Sequence, residues 1–480
     1  MLCKVASPQT RLEANSMIRI FRHYISSAFL ILFFLEIVVF AAAFPLGSLL
    51  RAKAGANPVF FPWDDLQVPS LVFTTVMLLS STGMGLYQRS HDIGDAALLL
   101  RIIATFMMGT AIMSLVFYAF PAYFVGRGVF GYALLSAFTG VLLGRFLFLR
   151  FVDGQNIKRR VLVLGAGYRA NMIRDFEQRG HFVRFRVIGY VRLGDEPLRV
   201  DADKLMELAE PLCETVTRLD IDEIVVAPDD RRAGQPLDQI LDCKMAGVDI
   251  VDLLSFFERE AGLLRVDCLY PSWLVFSDGF RVNGARNFVK RAFDVVASLS
   301  LLLVVWPIMV LTALAISLES GWRGPILYRQ IRVGLNWKTF KVIKFRSMRT
   351  DAEKGGAQWA RANDDRVTWV GRFIRKTRID ELPQLFNVLK GEMSFVGPRP
   401  ERPEFVERFA ETIPYYSERH RVKPGITGWA QLCYPYGSNY QDAIEKLQYD
   451  LYYVKNYSPF LDLLIMLQTV EVVLWGKGAR

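Results

Sequence analysis

A chain of 480 residues has room for two or three domains, and its size argues against a single compact core. Hydrophobic residues make up 52% and charged residues only 22%, an apolar excess that argues against a wholly soluble chain and places part of it in lipid. The 58 basic residues against 48 acidic ones give a net +10, which suits anionic partners such as lipid headgroups, phosphates or nucleic acid.

Four apolar runs come first, at about 24–50, 71–87, 97–120 and 129–151, each near the roughly 20 residues that cross hydrocarbon. A lone signal peptide would be shorter and would not be followed by three comparable runs. Lys4, Arg11, Arg19 and Arg22 precede the first run, Arg89 and Arg101 lie between the second and third, and Lys158–Arg160 follow the fourth. The positive-inside rule then puts both ends of a four-helix transmembrane unit (23–152), and the tail before it (1–22), in the cytoplasm. Arg51 and Lys53 lie on the wrong side of this scheme.

From Arg160 the grammar becomes α/β. Val161-Leu-Val-Leu-Gly-Ala-Gly reads as a buried strand entering a glycine turn, followed by a helix over 169–179, a strand over 185–190 and a helix over 204–219. A strand at 224–227, a helix at 237–245 and a strand at 248–251 complete a Rossmann-like parallel sheet, with the domain over 158–280. Gly165-Ala-Gly167-Tyr-Arg-Ala170 matches the dinucleotide fingerprint with alanine in the last place. Cofactor use also wants an acidic residue after the second strand, where Gly189-Tyr-Val-Arg192 stands. The turn therefore reads more readily as part of a structural or regulatory module, and no nucleotide cofactor is assigned to it.

A fifth apolar run, about 292–317, could span by length. The following 58 residues, 321–378, carry fifteen Lys/Arg against four Asp/Glu, and such a segment resists export. Pro307 near the middle removes a backbone hydrogen bond and clashes with the preceding turn. A broken, re-entrant helix that leaves Arg291 and Glu319 at the same interface satisfies both facts, the alternative being a kinked ordinary span. The last apolar segment, 460–475, holds Asp462, Gln468 and Glu471 and reads as an interfacial or docking helix.

The chemistry gathers at Arg375-Lys-Thr-Arg-Ile-Asp380-Glu381-Leu-Pro383-Gln-Leu-Phe-Asn-Val-Leu389. Pro383 suits a first helical turn, and Leu382, Leu385, Phe386 and Leu389 follow the spacing of one apolar helix face. Asp380 and Glu381 then stand at a helix start with Arg375, Lys376 and Arg378, where a carboxylate of depressed pKa suits phosphoryl chemistry. On this stretch alone, plain helix capping is the commoner explanation of the same two residues. The five cysteines (Cys3, Cys213, Cys243, Cys268 and Cys433) contain no C-x-x-C pair, and the four histidines do not cluster. A metal would therefore need oxygen ligands, which points to Mg2+.

Asp380-Glu-Leu-Pro-Gln-Leu together with Val396-Gly-Pro-Arg-Pro-Glu401 resembles the bacterial polyprenyl-phosphate sugar-phosphate transferases, the monotopic phosphoglycosyl transferases. Lys344-Phe-Arg-Ser-Met348, Gly324-Pro-Ile-Leu-Tyr-Arg-Gln330 and Lys423-Pro-Gly-Ile-Thr-Gly-Trp-Ala-Gln431 resemble further blocks of that family, in register over about 290–480. Four spans followed by a Rossmann-like domain resemble its large members, in particular the subgroup associated with exopolysaccharide and exosortase systems. The resemblance implies a mixed α/β catalytic domain over 288–480 on the cytoplasmic face of the bacterial inner membrane. It implies that Asp380 attacks the β-phosphate of a UDP-sugar, that UMP leaves, and that Glu381 ligates Mg2+. Undecaprenyl phosphate would then take the phosphosugar, with glucose or galactose 1-phosphate the preferred cargo, as the first membrane step of exopolysaccharide synthesis. Inner-membrane lipids and other polysaccharide-assembly proteins are the further partners implied.

Lys344, Arg346, Arg378 and Arg399 are the candidates for holding nucleotide or lipid phosphates, since Arg forks match phosphate oxygens and Lys supplies a point charge. Asp450 and Asp462 lie in a family-like stretch and offer either a second Mg2+ contact or helix caps. One departure stands out: the family commonly places Ser before the proline of the re-entrant helix, and here Trp306 precedes Pro307. Two rival readings are a membrane-tethered nucleotide-sugar oxidoreductase or epimerase driven by Gly165–Ala170, and a non-enzymatic scaffold of a polysaccharide-assembly complex. The first lacks its acidic partner and a Tyr-x-x-x-Lys pair after the sheet. Nucleic-acid binding would explain the charge but not the membrane helices.

Overall fold

The computed structural model describes residues 17–20, 23–54, 62–87, 95–152, 158–179, 184–208, 210–230, 236–280, 284–352, 364–434 and 439–474. Most of the 1–22 tail lies outside these residues, as do the flanking cations Lys4, Arg11, Arg22 and Arg89. The chain divides into two compact units, one built on Tyr24–Glu260 and the other on Ala261–Arg480.

Two short paired strands, β1 (Met17–Ile20) and β2 (His23–Ser26), precede the first helix. The apolar runs then form α1 (Ser27–Ala54), α2 (Trp63–Gly83), α3 (Asp95–Ala119) and α4 (Arg127–Val152), each long and apolar enough to cross a membrane. Phe40, Phe44, Phe73, Met77, Phe106 and Met113 meet in one buried core. Helices α1 and α4 approach closely because Gly140 faces Val39 and Gly144 faces Leu35, where any Cβ would intrude. Glu36 of α1 is fully buried and pairs with Arg145 of α4 at 2.7 Å, as a charge at membrane depth requires.

Next comes β3 (Arg159–Leu164), then α5 (Tyr168–Arg179), β4 (Phe185–Val191), β5 (Leu205–Met206), α6 (Leu212–Arg218) and β6 (Glu223–Val226). Helix α7 (Leu237–Met245), β7 (Asp249–Asp252) and α8 (Leu253–Ala261) complete the run. The five strands pair in parallel in the order β5-β4-β3-β6-β7. Val161–Leu164 are wholly buried, as a central parallel strand covered on both faces must be. The single helix expected over 204–219 does not form. Pro211 stands just before α6, and a proline biases the residue ahead of it away from helical dihedrals. Leu205–Met206, upstream of that break, joins the sheet edge instead.

In the C-terminal unit, α9 (Pro271–Phe276) leads to α10 (Gly284–Glu319), a single helix of 36 residues with Pro307 inside it. The fifth apolar run is therefore not divided into two helices at the proline, and its helix begins well before residue 292. Two turns in from its N-terminus, α10 carries buried polar side chains. Lys290 donates to Asp462 at 2.7 Å, Asp294 accepts from Ser394 Oγ and Phe395 N, and Arg291 donates to the carbonyls of Val388 and Leu389. The other end packs Ile316 against Phe345, Val370 and Ile374, and Glu319 accepts from Val370 N at 3.0 Å. Between them, Leu299, Leu303, Val304 and Trp306 are exposed.

An antiparallel hairpin, β8 (Leu327–Val333) with β9 (Thr339–Phe345), is followed by α11 (Trp369–Lys376), which Thr368 caps. Then come α12 (Gln384–Lys390), ended by Gly391 at φ +85°, β10 (Ser394–Val396), α13 (Pro403–Thr412), and β11 (Gly425–Thr427) parallel to β10. Helices α14 (Trp429–Cys433), α15 (Tyr440–Asn456) and α16 (Pro459–Leu474) close the unit. Helix α16 docks: Leu461, Asp462 and Ile465 are fully buried, and Thr469 bonds Thr427 of β11 at 2.7 Å.

Candidate active site

Three local devices bring the candidate residues together. Strand β9 delivers Lys344. Between α11 and α12 the chain reverses at Arg378, whose φ of +60° is a left-handed conformation uncommon for a non-glycine residue, and a turn of 3-10 helix over Ile379–Glu381 follows. Asn387 then ties α12 to β9: its Oδ1 accepts from Ile343 N at 3.0 Å and its Nδ2 donates to Lys341 O at 2.8 Å. The buried face of α12 is Gln384, Leu385, Asn387 and Val388, whereas Phe386 is exposed, so the apolar stripe expected through Phe386 is rotated. Fastening Asn387 to the strand sets that rotation.

The outcome is a buried pair of neighbouring carboxylates in unlike surroundings. Glu381 Oε1 receives Lys344 Nζ at 3.0 Å and Arg399 Nη2 at 3.2 Å. Asp380 Oδ1 is buried and has no hydrogen-bond partner among the described residues. Burial pushes the Asp380 carboxyl up to about 6, with the Glu381 charge adding to the rise and Lys344 and Arg378 opposing it. For Glu381 burial also acts upward, but Lys344, Arg399 and Arg378 together outweigh it and hold this carboxyl well below the usual range. The depressed carboxylate expected in this pair is Glu381, because the cations close on its second member.

Arg399 is held through its backbone. Its carbonyl accepts from Arg419 Nη2 at 3.0 Å, and Arg419 is in turn fixed by Asp450 at 2.8 Å and by the Tyr416 hydroxyl at 2.9 Å. Arg332 donates to the Pro400 carbonyl, Gly425 N to that of Pro398, and Lys290 and Tyr453 to that of Val396. Asp450 and Asp462 accordingly serve buried ion pairs, with Arg419 and Lys290 respectively. Arg346 does not join the cluster around Glu381; its guanidinium lies against Gly324. Residue type alone gives no sign of Arg419, which sits in a charged run, Ser-Glu-Arg-His-Arg, that reads as surface. Asn387 does leave a trace, as a polar residue inside the apolar face of a short helix.

No three His, Cys, Asp or Glu side chains converge among the described residues. Mg2+ needs no such cage: it is commonly bound by one or two carboxylates together with substrate phosphates and water. An ionised Glu381 beside an Asp380 oxygen without a partner fits that mode of binding.

Comparison with known sequences adds an independent line. Residues 285–476 match the family described as bacterial sugar transferase. The chain is 42% identical over 252 residues to the UDP-N-acetylgalactosamine-undecaprenyl-phosphate N-acetylgalactosaminephosphotransferase of Aeromonas hydrophila, covering 52% of this chain and 58% of that protein. It is 42% identical over 202 residues to the UDP-glucose:undecaprenyl-phosphate glucose-1-phosphate transferase of Escherichia coli K12, covering 41% and 43% of the two chains. The similarly named protein of Xanthomonas campestris pv. campestris is 31% identical over 368 residues, 74% of this chain and 75% of that one. Against the Aeromonas and Escherichia proteins the match spans about half of the relative's own length.

Proposed function

Because the chain belongs to the bacterial sugar transferase family, we propose that it transfers a sugar 1-phosphate from a UDP-sugar to undecaprenyl phosphate, with Asp380 as the covalent nucleophile. The observation that carries this reading is the buried Asp380 oxygen, without a partner among the described residues, beside an ionised Glu381 paired with Lys344 and Arg399. A carboxylate oxygen stripped of hydrogen bonds is a stronger nucleophile once ionised, and its neighbour stays charged without competing for the proton.

In the first step an Asp380 oxygen attacks the β-phosphorus of the donor. The bond from that phosphorus to the bridging oxygen breaks, the electron pair leaves on UMP, and an aspartyl phosphosugar remains. In the second step a phosphate oxygen of undecaprenyl phosphate attacks the same phosphorus. The bond to Asp380 breaks, the carboxylate is restored, and the lipid carries a diphosphosugar. Lys344 and Arg399, with Arg378 nearby, would hold the phosphate charge that moves between donor and acceptor. Glu381 would hold Mg2+, which supplies charge neutralisation at the diphosphate. Arg346 would contribute only from the edge.

We also propose that α10 is re-entrant, so that the site faces the cytoplasm at the inner membrane and makes the first lipid-linked intermediate of an exopolysaccharide. Both ends of α10 fasten to one small domain: Arg291 to the end of α12, and Glu319 to the start of α11. An exposed apolar middle between two anchored ends suits a helix that enters and leaves by the same face. Lipid contact there would also keep water from the aspartyl phosphosugar.

The test is UMP release from purified protein supplied with Mg2+, a polyprenyl phosphate and a panel of UDP-glucose, UDP-galactose and UDP-N-acetylgalactosamine. Activity with one donor, lost in Asp380→Asn, supports the assignment. No UMP from any donor would count against it.

A further inference from the structure

The turn Gly165-Ala-Gly167 joins β3 to α5 in the manner of a pyrophosphate site, where the first amides of the helix point at an anion. In this chain those amides already have their anion. Tyr168 N donates to Asp229 Oδ2 and Arg169 N to Asp229 Oδ1, each at 2.8 Å. Behind it, Ala166 N donates to Glu196 Oε2 at 3.0 Å, and Asp229 N donates to Glu196 Oε1 at 2.6 Å. Glu196 is itself buried.

The fold brings Asp229 to this place without strain on the sheet. Strand β6 lies next to β3, and Ala227 N extends their ladder to Leu164 O at 2.8 Å, which carries the chain over the mouth of the turn. Arg169 Nη1 donates to Pro228 O at 3.0 Å and closes the segment from the helix side. A Cβ on Gly167 would strike the Asp229 carboxylate, so the close approach that this glycine usually offers a pyrophosphate goes to a side chain instead. After β4, where a ribose would need an acidic residue, stands Arg192.

We propose that this turn is a self-liganded anion site, in which Asp229 takes the position of a nucleotide pyrophosphate and Glu196 holds it there, so that the domain accepts no dinucleotide. An incoming diphosphate would have to displace one carboxylate and then sit against another of like charge. The inference rests on residues outside the transfer site and stands or falls independently of the proposed reaction.

The test uses the full chain in detergent. Titration calorimetry with NAD+, NADH and NADPH is expected to give no saturable heat at millimolar concentrations, and hydrogen exchange at residues 168 and 169 to be as slow as in β3. Asp229→Asn keeps a single accepting oxygen and removes the charge, so exchange at the turn should quicken by roughly tenfold or more while β3 and β6 stay protected. Should that variant lose protection throughout, the wild-type measurements decide alone. Saturable binding of a dinucleotide by the wild type, or unprotected amides at 168 and 169, overturns the proposal.

Discussion

The glycine turn after β3 and the carboxylate pair before α12 both set acidic side chains at the start of a helix, and they differ in what those side chains find. In the turn, Asp229 and Glu196 together accept four backbone amides, and the charge is satisfied inside the chain. In the pair, Glu381 is matched by two cations while an Asp380 oxygen is buried with no hydrogen-bond partner among the described residues. Several buried side-chain atoms among the described residues lack a hydrogen-bond partner, and that of Asp380 is set apart by its place in the family motif beside Glu381. The region shaped like a nucleotide site is closed by its own residues, and the region that no common nucleotide fold would flag is the one left chemically open.

Substitutions can sharpen this contrast. The largest effect is expected for Asp380→Asn, which keeps the volume and removes the nucleophile; UMP release should fall by roughly four to six orders of magnitude in a steady-state assay. Glu381→Gln should cost roughly 10²–10³-fold in the same assay, since Lys344 and Arg399 lose the charge that organises them. In that variant the acid limb of the residual rate should also move to lower pH, because a like charge beside Asp380 has gone. An unmoved limb would mean that Glu381 does not influence its neighbour.

In the wild type the attack needs an ionised Asp380, whose carboxyl sits at about 6. The rate should therefore rise with pH and level off above that value, and it should drop about tenfold for each unit below it. Glu381, held lower, stays ionised across the same range and adds no second step. Lys344→Ala, which strips a direct contact from Glu381, should cost roughly tenfold to a hundredfold. The smallest effect is expected for Arg346→Ala. Its guanidinium lies against Gly324, so the change should be under about fivefold. Equal losses from these last two variants would erase the distinction drawn between them.

Much of the fold is legible in the sequence where the cause is local. Apolar runs of spanning length give α1–α4, and the buried strand Val161–Leu164 announces the parallel sheet because both its faces need covering. Where the cause is distant, the sequence misleads. Over 204–219 the break at Pro211 is local and legible, but the sheet edge that recruits Leu205–Met206 is not. At the site, the identities of Asp380, Glu381, Lys344 and Arg399 are visible in their motifs, but the allotment of cations is not. Arg375, Lys376 and Arg378 stand nearest in sequence, yet the direct contacts on Glu381 come from Lys344 and Arg399, which tertiary packing supplies. The same packing turns Phe386 outward and Asn387 inward, and it converts Asp450 from a prospective metal contact into the anchor of Arg419.

The most direct measurement is mass spectrometry of the enzyme quenched in acid during turnover with its preferred UDP-sugar. A phosphosugar adduct is expected on the peptide that contains Asp380, appearing with UMP, lost when undecaprenyl phosphate is added, and absent from Asp380→Asn. Sustained transfer with that peptide unmodified, or an adduct on another residue, would contradict the nucleophilic role of Asp380.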